Sequence, residues 1–189
     1  VSCTQADLDQ SNTAVVHQLA EWLEALGFKS TIDEVEPGKL NLIARRGSGP
    51  GGLVLSGHTD TVPFDEALWS SNPLGLTERS DRWYGLGTCD MKGFFPLVIE
   101  AVKGLSDSSL NAPLTIIATC DEESSMSGAR ALVDAGYNLG EAAIIGEPTG
   151  LKPIRLHKGV MMEKIEILGQ SGHSSDPSYG RSALDAMYD

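Results

Sequence analysis

The chain has 189 residues, with 14 Lys+Arg against 26 Asp+Glu, a formal net charge of −12 and 41% hydrophobic residues. This length and composition supply apolar surface for a real core, and leave room for one domain or for one and part of a second. The acidic balance excludes nucleic acid and anionic membrane surfaces as natural partners, because both are gripped through Lys and Arg.

In chain order, residues 12–26 predict an amphipathic helix. Val15, Val16, Leu19, Leu23 and Leu26 recur every three or four positions, Ser11 or Asn12 can cap it, and Gly27 ends it. Strands follow at 29–35 and 40–45, joined by a turn at Pro37-Gly38. The run Gly47-Ser48-Gly49-Pro50-Gly51-Gly52 satisfies G-x-G-x-x-G by letter. It leads into an apolar strand at 53–56 rather than a helix, and Pro50 lacks an N–H, so it reads as a loop and not as a dinucleotide fingerprint. Residues 57–88 are polar, with turn signals at Asn72-Pro73 and Ser80-Asp81. A helix is expected from near Met91 to near Leu105, and Pro96 within it demands a kink or a later start. Strands at 114–120 and 142–146 flank a helix at 127–135. Beyond them, 154–157 reads as a strand, and 161–169 alternates as a half-buried strand does, with Met162, Lys164 and Glu166 opposite Met161, Glu163 and Ile165. Residues 179–189 read as helix. The apolar runs are too short to span a bilayer, and no basic-then-apolar leader opens the chain.

Short apolar strands alternating with helices predict an α/β domain, a mostly parallel sheet flanked by helices. The change to an alternating strand near residue 160 predicts a second, smaller α+β domain, dividing the chain into 1–158 and 159–189.

Three of the apolar strands end in polar clusters: His58-Thr59-Asp60, Asp121-Glu122-Glu123 and Glu147-Pro148-Thr149. Open α/β sheets bind ligands outside the carboxyl ends of their strands. If these strands are parallel, His58, Asp60, Glu122, Glu123 and Glu147 gather at one edge, with Asp90 nearby at a helix start. Each residue has an ordinary alternative. Asp90 could be a helix cap, Asp60 an Asx-turn, Glu147 a turn acid, Glu122 and Glu123 solvated loop residues, and His58 a satisfied histidine. Together they make a different case, because gathered carboxylates repel and a divalent cation reverses that cost. One His among several carboxylates suits zinc, cobalt or manganese better than calcium. Cys3, Cys89 and Cys120 are widely spaced, so they predict no disulfide framework and no thiolate site, and suggest a reducing, cytoplasmic setting. Cys89 reads as a small buried thiol. His17 reads as a surface residue, and His157 is assigned no role.

The same residues carry a resemblance. Ser56-Gly57-His58-Thr59-Asp60-Thr61-Val62-Pro63, then Tyr84-Gly85-Leu86-Gly87-Thr88-Cys89-Asp90-Met91-Lys92-Gly93, then Asp121-Glu122-Glu123 and Ile145-Gly146-Glu147-Pro148-Thr149 occur in one order. In them the chain resembles the dinuclear-zinc deacylases and peptidases over nearly its whole length. Asp60-Thr61-Val62-Pro63-Phe64-Asp65, Asp90-Met91-Lys92-Gly93-Phe94-Phe95, His157-Lys158-Gly159 and residues 169–177 are most similar to the acetylornithine deacetylase branch.

The resemblance implies a catalytic domain over 1–158 and the start of a lid or dimerisation domain over 159–189. It implies removal of acetyl from N2-acetyl-L-ornithine in arginine biosynthesis, with a succinyl-diaminopimelate desuccinylase or a broad aminoacylase or dipeptidase as the alternative. Two divalent ions, Zn2+ or Co2+, are implied: His58 and Glu147 would hold one and Glu123 the other, with Asp90 bridging. Asp60 would orient His58, Glu122 would be the general base, and His173 of one subunit would stabilise the oxyanion in the other subunit of a homodimer. Family members are longer and bring a further ligand His from near their C-terminus. The Glu123 metal is therefore expected to be one protein ligand short here, and this stretch alone is expected to be an inactive fragment.

Overall fold

A computed structural model describes residues 1–3, 5, 7–156, 158–159, 161 and 163–188. The chain divides into two compact units, Val1–Leu151 and Lys152–Asp189.

In the first unit, helix α1 (Thr13–Glu24) buries Val16, Leu19, Ala20 and Leu23, the stripe that its spacing predicts. Asn12 stands at the N-cap position but does not cap the helix. Its carboxamide instead holds the backbone of Leu40, accepting from the N–H and donating to the carbonyl at 2.8 Å each. Strands β1 (Lys29–Glu36) and β2 (Lys39–Arg46) pair antiparallel, as a two-residue Pro37-Gly38 connection requires. The glycine run is a loop, and β3 (Leu53–His58) follows it. Within the long polar stretch lies a small hairpin, β4 (Thr77–Arg79) and β5 (Arg82–Tyr84), which the sequence reading marked only as a turn. Ser80 and Asp81 both take positive φ there, the twist that tight hairpins favour.

Helix α2 (Phe94–Val102) starts later than Met91, and Pro96 is its third residue. The first four N–H groups of a helix have no partner inside it, so Pro96 removes nothing there. Met91 itself is fully buried. Strand β6 (Leu114–Thr119), helix α3 (Ser127–Asp134) and strand β7 (Ala142–Ile145) complete the unit.

The main sheet runs β1-β2-β6-β3-β7. Strand β3 is parallel to both β6 and β7, whereas β2 meets β6 antiparallel. The sheet is therefore mixed, parallel in the half that carries the polar strand ends. Alternation along the central strands divides the core. Leu42, Ala44, Ile116 and Ala118 pack with α1 and α2, while Ile43 and Ile117 point the other way to Val54 and Leu132 of α3. Helices thus cover both faces.

Lys39, at the start of β2, is 6% exposed. Its ammonium donates to Asp9 Oδ1 at 2.7 Å and to Asp121 Oδ1 at 2.8 Å. Replacing Lys39 with Met is expected to cost about 3–5 kcal/mol, because it strands the buried Asp121 carboxylate without a counter-charge. Urea denaturation measures this. Burial works to raise the Asp9 pKa and to lower that of Lys39, but the Lys39 hydrogen bond prevails at Asp9, and the Asp121 and Asp9 hydrogen bonds prevail at Lys39, so Asp9 titrates below 3.8 and Lys39 above 10.5. The Asp9 contribution is present above pH 3.8 and is lost as pH falls through its lower folded value. The Lys39 contribution is complete below pH 10.5 and is lost as pH rises through its higher folded value. The stability difference between wild type and Lys39→Met is expected to shrink at both extremes.

The second unit departs from expectation. Among its described residues, 154–157 and 161–169 form no strand, and 179–189 form no α-helix. An isolated antiparallel bridge joins Gln170 to Arg181, and short 3-10 turns span Pro177–Tyr179 and Asp185–Met187. His157, Met162 and Asp189 lie outside the described residues. Apolar alternation makes a strand only where a neighbour pairs it and a core covers one face, and Met161, Ile165 and Leu168 are exposed. Among the described residues, no helix is long and apolar enough to cross a membrane.

Candidate metal centre

Because β3, β6 and β7 are parallel, their carboxyl ends open on one edge of the sheet. His58 is the last residue of β3 and is 2% exposed. Its Nε2 lies 3.2 Å from Asp90 Oδ1, 3.5 Å from Glu147 Oε1 and 3.9 Å from Glu122 Oε2. Asp90 arrives from the loop after β5, the Asp121-Glu122-Glu123 loop follows β6, and Glu147 lies just beyond β7. The acids are more open than the histidine, with Asp90 51% exposed at the mouth. The architecture is a buried imidazole floor under a rim of carboxylates.

Asp60 organises this floor from behind. His58 Nδ1 faces two acceptors, the Asp60 carbonyl oxygen at 3.1 Å and Oδ1 at 3.3 Å. That pairing keeps a hydrogen on Nδ1 and turns Nε2 toward the rim acids. The same carboxylate accepts from the backbone N–H of Glu122 at 3.2 Å and of Glu123 at 3.0 Å. One buried acid therefore orients the imidazole and fixes the backbone of both glutamates.

The glutamate loop is also shaped locally. Asp121 takes a left-handed φ of 50°, and its carbonyl accepts from Ser125 and Met126 N–H at 3.2 and 2.7 Å. An aspartate tolerates that conformation better than most residues, and the Lys39 bridge holds it there. On the other strand ends, side chains are excluded. A Cβ on Gly57 would meet Met91 Cε at 2.7 Å, and one on Gly146 would enter the Phe94 ring. These glycines let the first turn of α2, and Asp90 before it, close onto β3 and β7.

The electrostatics describe a site short of positive charge. Burial opposes charge on His58, yet the hydrogen bond and charge of Asp60, with Glu147 and Glu122, push its pKa up to about 9. Burial and neighbouring acids raise both Glu123 and Glu147, although His58 pulls the other way. Burial is also the largest influence on Lys92, holding its ammonium below the ordinary value despite Asp60, Asp90 and Glu123. A cation in the proton's place on His58 relieves the whole cluster.

The donors fit such a cation. Two N/O ligands of one tetrahedral zinc, each ~2.0–2.2 Å from the metal, stand about 3.3–3.6 Å apart. The His58–Asp90 and His58–Glu147 separations of 3.2 and 3.5 Å match that span. Among the described residues, two groups have donor atoms within 4.8 Å of one another: His58 with Asp90 and Glu147, and His58 with Glu122 and Glu123.

Of the residues singled out from sequence, His58, Asp60, Asp90, Glu122, Glu123 and Glu147 converge here. Asp90 caps no helix, since α2 begins at Phe94 after Gly93. His173 belongs to the second unit, where it is exposed and its Nδ1 lies 2.7 Å from Ser175 Oγ. His17 is exposed on α1. Cys89 is exposed rather than buried, and the buried thiol is Cys120, which burial and the Asp121 charge push up to about 11. The sequence reading missed Lys39, Asn12 and Ser2. Only the Pro37-Gly38 turn and the Ser11-Asn12 cap signal marked their surroundings.

The chain is 52% identical over 187 residues to an acetylornithine deacetylase of Aliivibrio fischeri strain MJ11, covering 99% of this chain and 50% of that protein. It is 53% identical over 191 residues to the acetylornithine deacetylase of Proteus mirabilis, covering 100% of this chain and 49% of that protein. The chain thus spans about half the length of the curated relatives it matches. Among solved structures it shares its fold with a tripeptidase from Staphylococcus aureus (TM-score 0.63, 18% identity, 95% of this chain and 50% of that one). It likewise resembles an M20 family metallo-carboxypeptidase from Sulfolobus solfataricus (TM-score 0.60, 24% identity, 71% of this chain and 32% of that one). The sequence model of peptidase family M20/M25/M40 matches residues 54–179, from β3 through every acid of the His58 cluster, and the chain belongs to that family.

Proposed function

We propose that this protein is a metal-dependent amidohydrolase that converts N2-acetyl-L-ornithine to L-ornithine and acetate, a cytoplasmic step of arginine biosynthesis. The observation that carries the reading is the His58–carboxylate cluster, on a chain about half identical to proteins named acetylornithine deacetylase. On this reading residues 1–158 belong to the catalytic domain. Residues 159–189 begin a lid or dimerisation domain through which two subunits pair.

His58, Asp90, Glu123 and Glu147 would hold two divalent ions, Zn2+ or Co2+, with Asp90 a ligand to both. When bound, they supply a water of lowered pKa and polarise the amide carbonyl. Glu122 is the general base: its carboxylate takes a proton from the attacking water and returns it to the departing ornithine amine. Glu122 and Glu123 are adjacent yet separable in role, because Asp60 fixes both backbones while one side chain would bind metal and the other would be left free as base. Asp60 keeps the His58 tautomer, and His173 of one subunit assists the oxyanion in the other.

The test is a substrate and metal panel on the whole purified protein. About two metal equivalents per subunit, loss of activity with chelator and a preference for N2-acetyl-L-ornithine over N-succinyl-diaminopimelate and other N-acyl amino acids are expected. Preference for the succinyl substrate would reassign the acyl group. Chelator-insensitive turnover would remove the metal mechanism.

A further inference from the structure

The N-terminal segment is built into the centre. Ser2 is 2% exposed, and its N–H donates to the Thr61 carbonyl at 2.9 Å. Its hydroxyl lies 2.7 Å from that of Ser124. One residue thereby ties the loop after β3 to the loop after β6. Further along, Asp9 grips Lys39, which grips Asp121. Asn12 Nδ2 donates to Thr59 Oγ1 at 2.8 Å. The segment is closed on itself by the Gln10 N–H, which donates to the Val1 carbonyl at 2.9 Å.

The placement of these contacts is selective. Thr59 and Thr61 flank Asp60. Asp121 and Ser124 flank Glu122 and Glu123. Each functional acid of the two loops is thus bracketed by a pair of anchors, and all four anchors trace back to residues 2, 9 and 12. The bonds from Asp60 to the glutamate N–H groups, at 3.2 and 3.0 Å, span the gap that the anchors set.

We infer that Ser2, Asp9 and Asn12 act as a positioning strap: Ser2 and the Asp9–Lys39 bridge set the separation of the two loops. They thereby set how tightly Glu123 holds its divalent cation, and where the Glu122 base stands beside it. The inference rests on the metal-centre reading above. It assigns Ser2, Asp9 and Ser124 to the centre although none of them belongs to either group of donor atoms around His58.

The test uses the whole protein with Ser2→Ala, Ser124→Ala, the double variant, Asp9→Asn and Ser2→Thr. Co2+ titration by calorimetry and visible absorption reports the centre, and amide exchange at Glu122 and Glu123 in metal-free protein reports the loop. Each Ala variant and Asp9→Asn is expected to weaken one cobalt equivalent about tenfold, leave the other within about twofold, and speed exchange at both amides. The double Ala variant is expected to be no worse than either single one, since both remove the same bond, and Ser2→Thr to restore binding. Unchanged cobalt affinity in Ser2→Ala and Asp9→Asn, or equal weakening of both equivalents in step with a lowered Tm, would overturn the strap. Wild-type protein that takes up no Co2+ would sink the metal reading, and the strap with it. Normal wild-type uptake with indifferent variants would sink the strap alone.

Discussion

On the proposed reading, replacing Glu122 with Gln is expected to leave the metal content of the protein intact and to lower turnover of N2-acetyl-L-ornithine about 10²–10⁴-fold, the usual contribution of a positioned general base. Gln keeps the size of the side chain and one acceptor oxygen, but it cannot take a proton. The backbone anchor is unaffected, because Asp60 accepts from the Glu122 N–H and not from its side chain. Metal analysis alongside the kinetics makes the result decisive, since Glu122 also lies within reach of a donor group with His58 and Glu123. Loss of a metal equivalent would make Glu122 a ligand, and retained turnover would place the base elsewhere.

Replacing Asp60 with Ala is expected to be broader in effect. It removes the acceptor that fixes His58 Nδ1 and unties the Glu122 and Glu123 backbones at once. Loss of such an outer partner costs about 10–100-fold in metal affinity, and here two groups of ligands share the one partner. Asp60→Asn is expected to recover part of the loss. Its amide oxygen can still accept one of these bonds, while its NH₂ then faces a second donor. Calorimetric metal titration of both variants, with exchange rates at the two glutamate amides, distinguishes loosening of the loop from loss of the imidazole orientation. Normal exchange with weakened binding would confine the role of Asp60 to His58.

Much of the first unit was legible in the sequence. The apolar stripe of α1 and the continuous apolar runs of β3 and β6 are local patterns, and each forms the element it predicts. The late start of α2 also follows from Pro96, once the helix is required to leave its first N–H groups free. The direction of β2 relative to β6 was not legible, because the pairing of strands distant in sequence depends on which faces they bury together. The strands expected after residue 153 failed for the same reason, as their alternation found neither partner nor cover within the unit.

The sequence by itself marked the histidine and the acids that gather at one edge of the sheet, because strand-end position and residue type are both written locally. It also determined their kinship with family M20/M25/M40. Only the tertiary structure decided what holds them in place. Lys39 is a lysine after a turn in the sequence, and nothing nearby distinguishes it from a solvated one. Folding carries it between Asp9 and Asp121, 82 positions away, and buries it there. The same holds for Ser2 and Ser124, separated by 122 positions. The physical reason is that a buried polar group is costly without a partner, and such partners are chosen by the packing of the whole sheet edge rather than by neighbours along the chain.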